Sequence, residues 1–308
     1  MRNNTPYRFL WFVLTLVLTV PAAHAESQLP DGTPIAACVA TKTMGCVPGG
    51  PFLRGSETGK DNEKPQATVW LQTVYMDQYE VTVEQYEACV KAKKCKKART
   101  RYRDYGRPKQ PKVGVRWYDA VDYCRALGKH LPTEAEWEKA ARGTDGRTYP
   151  WGEKRATCKE AVIKDGRGRS CGVKKSAGGK PEKGRTFVVG TRAPTQYGLY
   201  DMAGNSWEWV SDWSSKSYKS CGKSCEGINP KGPCEGKDRC KGHRTKIVRG
   251  GSWYWPASYA TTTYRRRHVP SNDPYHHFGF RCAASPEEAE TIRTKGLPSW
   301  VITESVDP

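Results

Sequence analysis

The sequence predicts an irregular, loop-rich domain in which short strands and short helices are stapled together by disulfides. Three observations lead there. Hydrophobic residues make up only 37% of the 308-residue chain, yet it carries 11 Trp and 16 Tyr, so the core must use broad amphipathic rings rather than aliphatic layers. There are 12 Cys, an even number, which in an exported chain reads first as a disulfide framework. Glycines bound the short aromatic runs of the C-terminal half, which leaves no room for long regular elements. The length fits one large domain or two small ones.

Residues 1–25 read as a secretion signal. Arg2 and Arg8 form a basic start, Phe9 to Val20 is apolar, and Ala23-His24-Ala25 has the small-x-small form of a cleavage site. A membrane anchor is the alternative, but the apolar run falls short of the ~20 residues a spanning helix needs. No later segment is apolar enough to span a bilayer, so the expected location is the periplasm or the extracellular space. All the cysteines follow this leader. Thiolate zinc is the runner-up for Cys221, Cys225, Cys234 and Cys240, although no CxxC pair occurs and His243 is the only imidazole nearby.

The net charge of +19 is concentrated between Lys91 and Lys112, with Lys93, Lys94, Lys96, Lys97, Arg99, Arg101, Arg103, Arg107 and Lys109 between them. Nucleic-acid binders show such stretches. An exported protein rarely meets nucleic acid, so a solvated basic loop touching an anionic envelope polymer is the preferred reading, with an unknown protein or peptide as the other partner class.

Along the chain, residues 26–46 form a polar lead-in in which Cys38 and Cys46 are close enough to pair. From Val47, PGGPFLRGS and the alternating TVWLQTVYMDQYEVT read as strands. Thr82 with Gln85 makes a capping box for a helix carrying Tyr86, Cys89 and Val90. Trp117, Ala120, Val121, Cys124 and Leu127 keep helical spacing up to Gly128 at the C-cap. A third helix starts at Thr133, boxed by Glu136, and ends at Gly143. Loop follows to about residue 185, braced if Cys158 and Cys171 pair; Cys89 with Cys95 is likewise proposed on proximity. After Cys282, Ser285-Pro286-Glu287-Glu288 starts a helix in the 285–308 tail.

Four stretches in order carry a resemblance: GSETGKDNEKPQATVWLQTVYMDQYEVT, WYDAVDYCRALGKHLPTEAEWEKAARG, YGLYDMAGNSWEWVSDW, and VRGGSW with its closing GFRCAA. Over residues 47–284 the chain resembles the formylglycine-generating enzyme, or sulfatase-modifying factor, family. The resemblance implies a single α+β domain with little regular structure, distantly similar to C-type lectins. It implies a Cys124–Cys282 disulfide, leaving Cys221, Cys225, Cys234 and Cys240 to pair among themselves. The family's founding activity is copper- and dioxygen-dependent oxidation of a sulfatase cysteine to formylglycine.

In DMAGNSWEW, carboxylates at Asp201 and Glu208 flank Gly204, a turn whose oxygens suit calcium. The resemblance points the same way, implying Asp201, Glu208 and the carbonyls of Gly204 and Ser206 as ligands. The alternative is a tight turn hydrogen-bonded by Asp201 and Asn205. A second calcium site common in the family is not carried over, because the loop after PWG lacks the expected Asn and has Ala161 near its place. The family's copper(I) binds two thiolates downstream of GGS, and these positions fall at Trp255 and Ala260. Ser252 and Trp207 resemble residues lining the family's oxygen pocket, and Tyr259 joins them in the cleft. Copper is therefore not expected, and calcium is. The reading is an exported, non-oxidising scaffold or binding module. One rival is an enzyme, either of sulfatase maturation or running another reaction with Tyr254, Tyr264, His268, His276 or His277 in the cleft, where the His pair reads more simply as surface loop. The other is a calcium-dependent glycan-binding module.

Overall fold

The computed structural model describes residues 27–98, 104–173, 184–271 and 277–302, besides Met1. The leader, Arg99, Arg101, Arg103 and His276 lie outside the described residues. Among the described residues, three small sheets and five α-helices are joined by long, ordered turns. Strand β1 (Met44–Val47) pairs antiparallel with β4 (Val74–Asp77), whose other edge takes β9 (Ala283–Ala284). Strand β2 (Gly50–Arg54) pairs antiparallel with β3 (Ala67–Leu71). The sheet that positions the candidate site runs β7 (Arg266–His268), β6 (Lys246–Arg249), β5 (Trp207–Trp213), β8 (Phe278–Gly279), with β8 parallel to β5.

The helices begin where cap chemistry predicts. In α1 (Val83–Lys91) Thr82 accepts from the Gln85 amide and Gln85 answers at the Thr82 N–H, and Thr133 with Glu136 does the same for α3 (Glu134–Arg142). Helix α2 (Trp117–Ala126) is followed by Gly128 at φ 70°, a left-handed stop. Helix α4 (Tyr218–Cys221) is a single turn, and α5 (Pro286–Lys295) starts at Ser285. Trp117, Trp137, Trp207, Trp209 and Trp253 are all buried in the core. Each indole of Trp117, Trp137 and Trp209 donates, to the Val210 carbonyl, Glu208 and the Val115 carbonyl respectively, so the rings are buried without wasting their polar edge.

Six disulfides take up all twelve cysteines: Cys38–Cys46, Cys89–Cys95, Cys124–Cys282, Cys158–Cys171, Cys221–Cys225 and Cys234–Cys240. Between the helices and sheets lies a buried ionic lattice. Arg249 bridges Glu134 at 3.0 Å and Glu138 at 2.7 Å, and Arg265 grips Glu134. Each charge there is hydrogen-bonded as well as paired, the condition under which burial is tolerated.

Three expectations are corrected. Order begins before Val47, since Met44–Val47 is a strand whose partner in β4 is distant in sequence. Lys112 is not part of a solvated loop; it is buried over the Tyr86 ring and paired with Glu87 at 2.6 Å, because its stem fills the edge of α1. His277 is not on a surface loop either, being 8% exposed and packed against Trp253 and Tyr254. No helix among the described residues is long and apolar enough to cross a membrane.

Candidate functional site

The turn before β5 is built from backbone that few residues adopt. Asp201, Gly204 and Asn205 all have positive φ, at 57°, 84° and 54°. A Cβ on Gly204 would stand 2.6 Å from the Val162 carbonyl oxygen, so only glycine fits there. This turn brings Asp201 and Glu208 into one buried cluster with Glu80 and Arg281, which the sequence reading did not single out. The Asp201 Oδ2 accepts from the Gly190 N–H at 2.6 Å, while its Oδ1 is buried with no partner among the described residues. Glu80 accepts from Asn205 Nδ2 at 2.6 Å and from the Ser206 hydroxyl at 2.6 Å. Glu208 takes both arms of Arg281 at 2.7 and 2.8 Å, plus the Trp137 indole at 2.8 Å.

Three buried carboxyl groups thus share one hydrogen-bonded guanidinium, Arg281, with Arg192 acting on Asp201 by charge alone. Burial, then the charges of Asp201 and Glu208, push Glu80 well above the usual carboxylate range. Burial pushes Asp201 up to about 6, against the pull of the Gly190 N–H. Such a cluster lacks positive charge. A carboxylate has roughly four lone-pair positions, and Glu208 uses three, leaving one on Oε1. Asp201 Oδ1 and one position on Glu208 Oε1 therefore remain without a hydrogen-bond donor among the described residues. The carboxylates alone do not form a metal cage: among the described residues no three His, Cys, Asp or Glu side chains group as a metal cluster. Asn205 does brace the turn, through Glu80 and by accepting from the Phe187 N–H at 2.9 Å.

The second part of the site is the segment after Gly250-Gly251. Ser252 is buried, and its hydroxyl accepts from the Tyr254 N–H at 3.4 Å. Trp255 is half-buried and stacks on Tyr259 at 4.7 Å with 25° between planes. Tyr259 lies 4.8 Å from Tyr264, whose hydroxyl accepts from Lys60 at 3.1 Å. Trp207 sits beneath, 5.7 Å from Tyr264, and the Arg266 guanidinium lies 5.2 Å from the Trp255 ring centre. Ala260 is buried in an alanine-lined cluster with Tyr149, Ala203 and Ala257. His268 packs on Phe278, and burial lowers its imidazole below the ordinary value. The structure gathers Trp207, Trp255, Tyr259 and Tyr264 into one aromatic stack. His277 lies on the Trp253–Tyr254 side instead.

Comparison with known proteins agrees with this architecture. The sulfatase-modifying factor enzyme 1-like domain model matches residues 32–286. The formylglycine-generating enzyme of Thermomonospora curvata is 33% identical, over 80% of this chain and 94% of its own length. That of Bos taurus is 31% identical, over 85% of this chain and 79% of its own. Among solved structures, PvdO from Pseudomonas aeruginosa superposes with a TM-score of 0.60 at 25% identity, covering 79% of this chain and 94% of that one. The chain belongs to the sulfatase-modifying factor, or formylglycine-generating enzyme, family.

Proposed function

We propose that this chain is an exported, non-oxidising member of the family that uses the fold as a binding scaffold. The observation that carries this reading is the ligand inventory. Copper(I) in this family is held by two thiolates, and those positions hold an indole, Trp255, and a methyl, Ala260, while every cysteine of the chain is spent in a disulfide. Neither replacement offers a soft ligand, and a disulfide sulfur is not a thiolate. Six disulfides also fit an oxidising compartment, in keeping with the leader read from residues 1–25. Calcium in this reading is structural. Asp201, Glu208 and the carbonyls of Gly204 and Ser206 would hold it, and it would supply the positive charge that the Glu80 and Asp201 cluster lacks.

The test is direct. The purified protein is titrated with copper(I) against a chromogenic chelator and incubated with a sulfatase-type cysteine peptide, the peptide mass being followed. Neither tight copper binding nor aldehyde should appear, and the Trp255→Cys/Ala260→Cys double variant serves as the copper-binding control. Copper-dependent aldehyde formation by the unaltered protein would make the chain an oxidoreductase and end the scaffold reading.

A further inference from the structure

We propose that the excursion between β5 and β6 is a docking surface for a linear acidic polysaccharide. It leaves and rejoins the sheet at one neck, where the Ser214 N–H donates to the Thr245 carbonyl at 2.9 Å. Between these residues the chain has little core of its own. It is held instead by Cys221–Cys225 and Cys234–Cys240, and by ties to the body. The Trp70 N–H donates to the Gly227 carbonyl at 2.9 Å, the Asn229 N–H to the Trp70 carbonyl at 2.7 Å, and the Trp213 indole to the Lys237 carbonyl at 2.6 Å. The backbone is thus fixed from both sides.

What this braced loop displays is charge. Lys219, Lys223, Lys237, Arg239, Lys241 and Arg244 are all exposed, and none forms an ion pair among the described residues. Of the acids in the excursion, Asp238 is already engaged by Arg125 at 3.0 Å. Unpaired cations on a pre-ordered backbone bind a polyanion with little loss of backbone freedom, so more of the electrostatic gain survives as affinity. The cations are strung along the loop rather than turned into a cavity, which suits a chain rather than a single small anion. A membrane surface is disfavoured because, among the described residues, large exposed apolar side chains occur only outside the excursion, at Met1, Val39, Leu53 and Val269. Single-stranded nucleic acid is disfavoured because Tyr218 and the neighbouring Trp213 are buried, and the half-buried His243 ring is held at the Ser214 carbonyl, so no stacking platform is offered. The surface gives the scaffold a partner class and rests on the scaffold reading only in treating the protein as a binding module; the copper assay and the assay below can fail separately.

The probe is heparin, titrated calorimetrically against the mature protein between about 50 and about 200 mM salt. Lys219→Gln, Lys223→Gln, Lys237→Gln and Lys241→Gln are combined in one variant. A matched variant removes the same charge from exposed lysines outside both basic stretches, by Lys42→Gln, Lys159→Gln, Lys164→Gln and Lys295→Gln. The excursion variant should lose at least about tenfold in affinity, and its slope of log affinity against log salt should fall by about 3 to 4, a little under one for each of the four lysines removed. The matched variant should stay within about twofold, and arginine at the four excursion positions should retain binding. Equal losses in both variants would show a net-charge effect and overturn the proposal, as would an unaffected excursion variant. Displacement of heparin by a DNA duplex or by phosphatidylglycerol vesicles at lower anion concentration would overturn the assignment to a polysaccharide.

Discussion

Removing single disulfides should rank by the length of loop each closes, and two of them bracket the range. Cys124–Cys282 joins residues 158 apart, and Cys221–Cys225 joins residues 4 apart. In the chain-entropy relation the first constrains the unfolded chain by about 5 kcal/mol and the second by about 2 kcal/mol. Cys124 and Cys282 are also fully buried between α2 and the body, so deleting two sulfurs adds about 1 kcal/mol each, as for a lost methylene. Cys221 is half-exposed and adds little, whereas the buried Cys225 adds about 1 kcal/mol. Cys124→Ala/Cys282→Ala should therefore be destabilised by about 7 kcal/mol and melt about 15 °C or more below the parent. Cys221→Ser/Cys225→Ser, at about 3 kcal/mol, should drop by only about 6 to 12 °C. Urea unfolding monitored by Trp fluorescence and far-UV dichroism measures both. Equal losses in the two variants would refute the loop-length argument and show that the long-range link does not carry the tertiary frame.

Two further outcomes follow from the charge clusters. Chelation should lower the melting temperature, because an ion bound only to the folded state stabilises it, and Glu208→Gln should abolish most of that sensitivity; identical curves with and without chelator would leave Asp201 and Asn205 as turn residues alone. His130 lies between Glu136 at 3.2 Å and Glu288 at 2.7 Å; burial opposes its charge, but the two carboxylates prevail and push it from 6.5 up to about 10. A pKa raised in the folded state means the stabilisation is complete below about pH 6.5 and lost as pH rises toward 10, so the parent should lose more melting temperature than His130→Gln across that interval, and parallel curves for the two would dismiss the bridge between α3 and α5.

Local chemistry was legible in the sequence wherever a few adjacent residues decide the outcome. The boxes at Thr82 and Thr133, the helix start at Ser285 and the stop at Gly128 are found where the residues place them, since capping depends on positions within one turn. Cys38–Cys46, Cys89–Cys95 and Cys158–Cys171 could be proposed by proximity, the pairing of Cys221, Cys225, Cys234 and Cys240 stayed open, and the pair joining Cys124 to Cys282 came only through the family resemblance. What could not be read were contacts closed by the fold. Glu80 sits in an ordinary strand-like stretch, and nothing near it announces that Asn205 and Ser206 will hydrogen-bond it from 125 and 126 residues away. Lys112 looked like one more cation in a basic run, and His277 like one of a pair beside a proline; their burial is set by Tyr86 and Trp253, which belong to other parts of the chain. The β1 strand escaped for the same reason, because its ladder partner lies in β4.

In the proposed reading, the fold tolerates an indole and a methyl at positions 255 and 260 because the segment carrying them is anchored independently of them. At its start Gly250 and Gly251 have φ of 89° and 80°, and a Cβ on Gly251 would lie 2.8 Å from the Tyr259 carbonyl oxygen, so the turn is closed by backbone alone. At its end Arg249 reaches the Thr262 carbonyl at 2.6 Å and the Thr263 carbonyl at 3.2 Å, tying the segment to the Glu134 and Glu138 lattice. Between these anchors, position 255 needs only a side chain that covers Tyr259, and position 260 needs only a small one among alanines. An indole and a methyl satisfy both packing demands while meeting neither demand of copper chemistry. The residues that hold the frame and those that would hold a metal at the cleft are therefore separate sets, and one can change while the other stays in place.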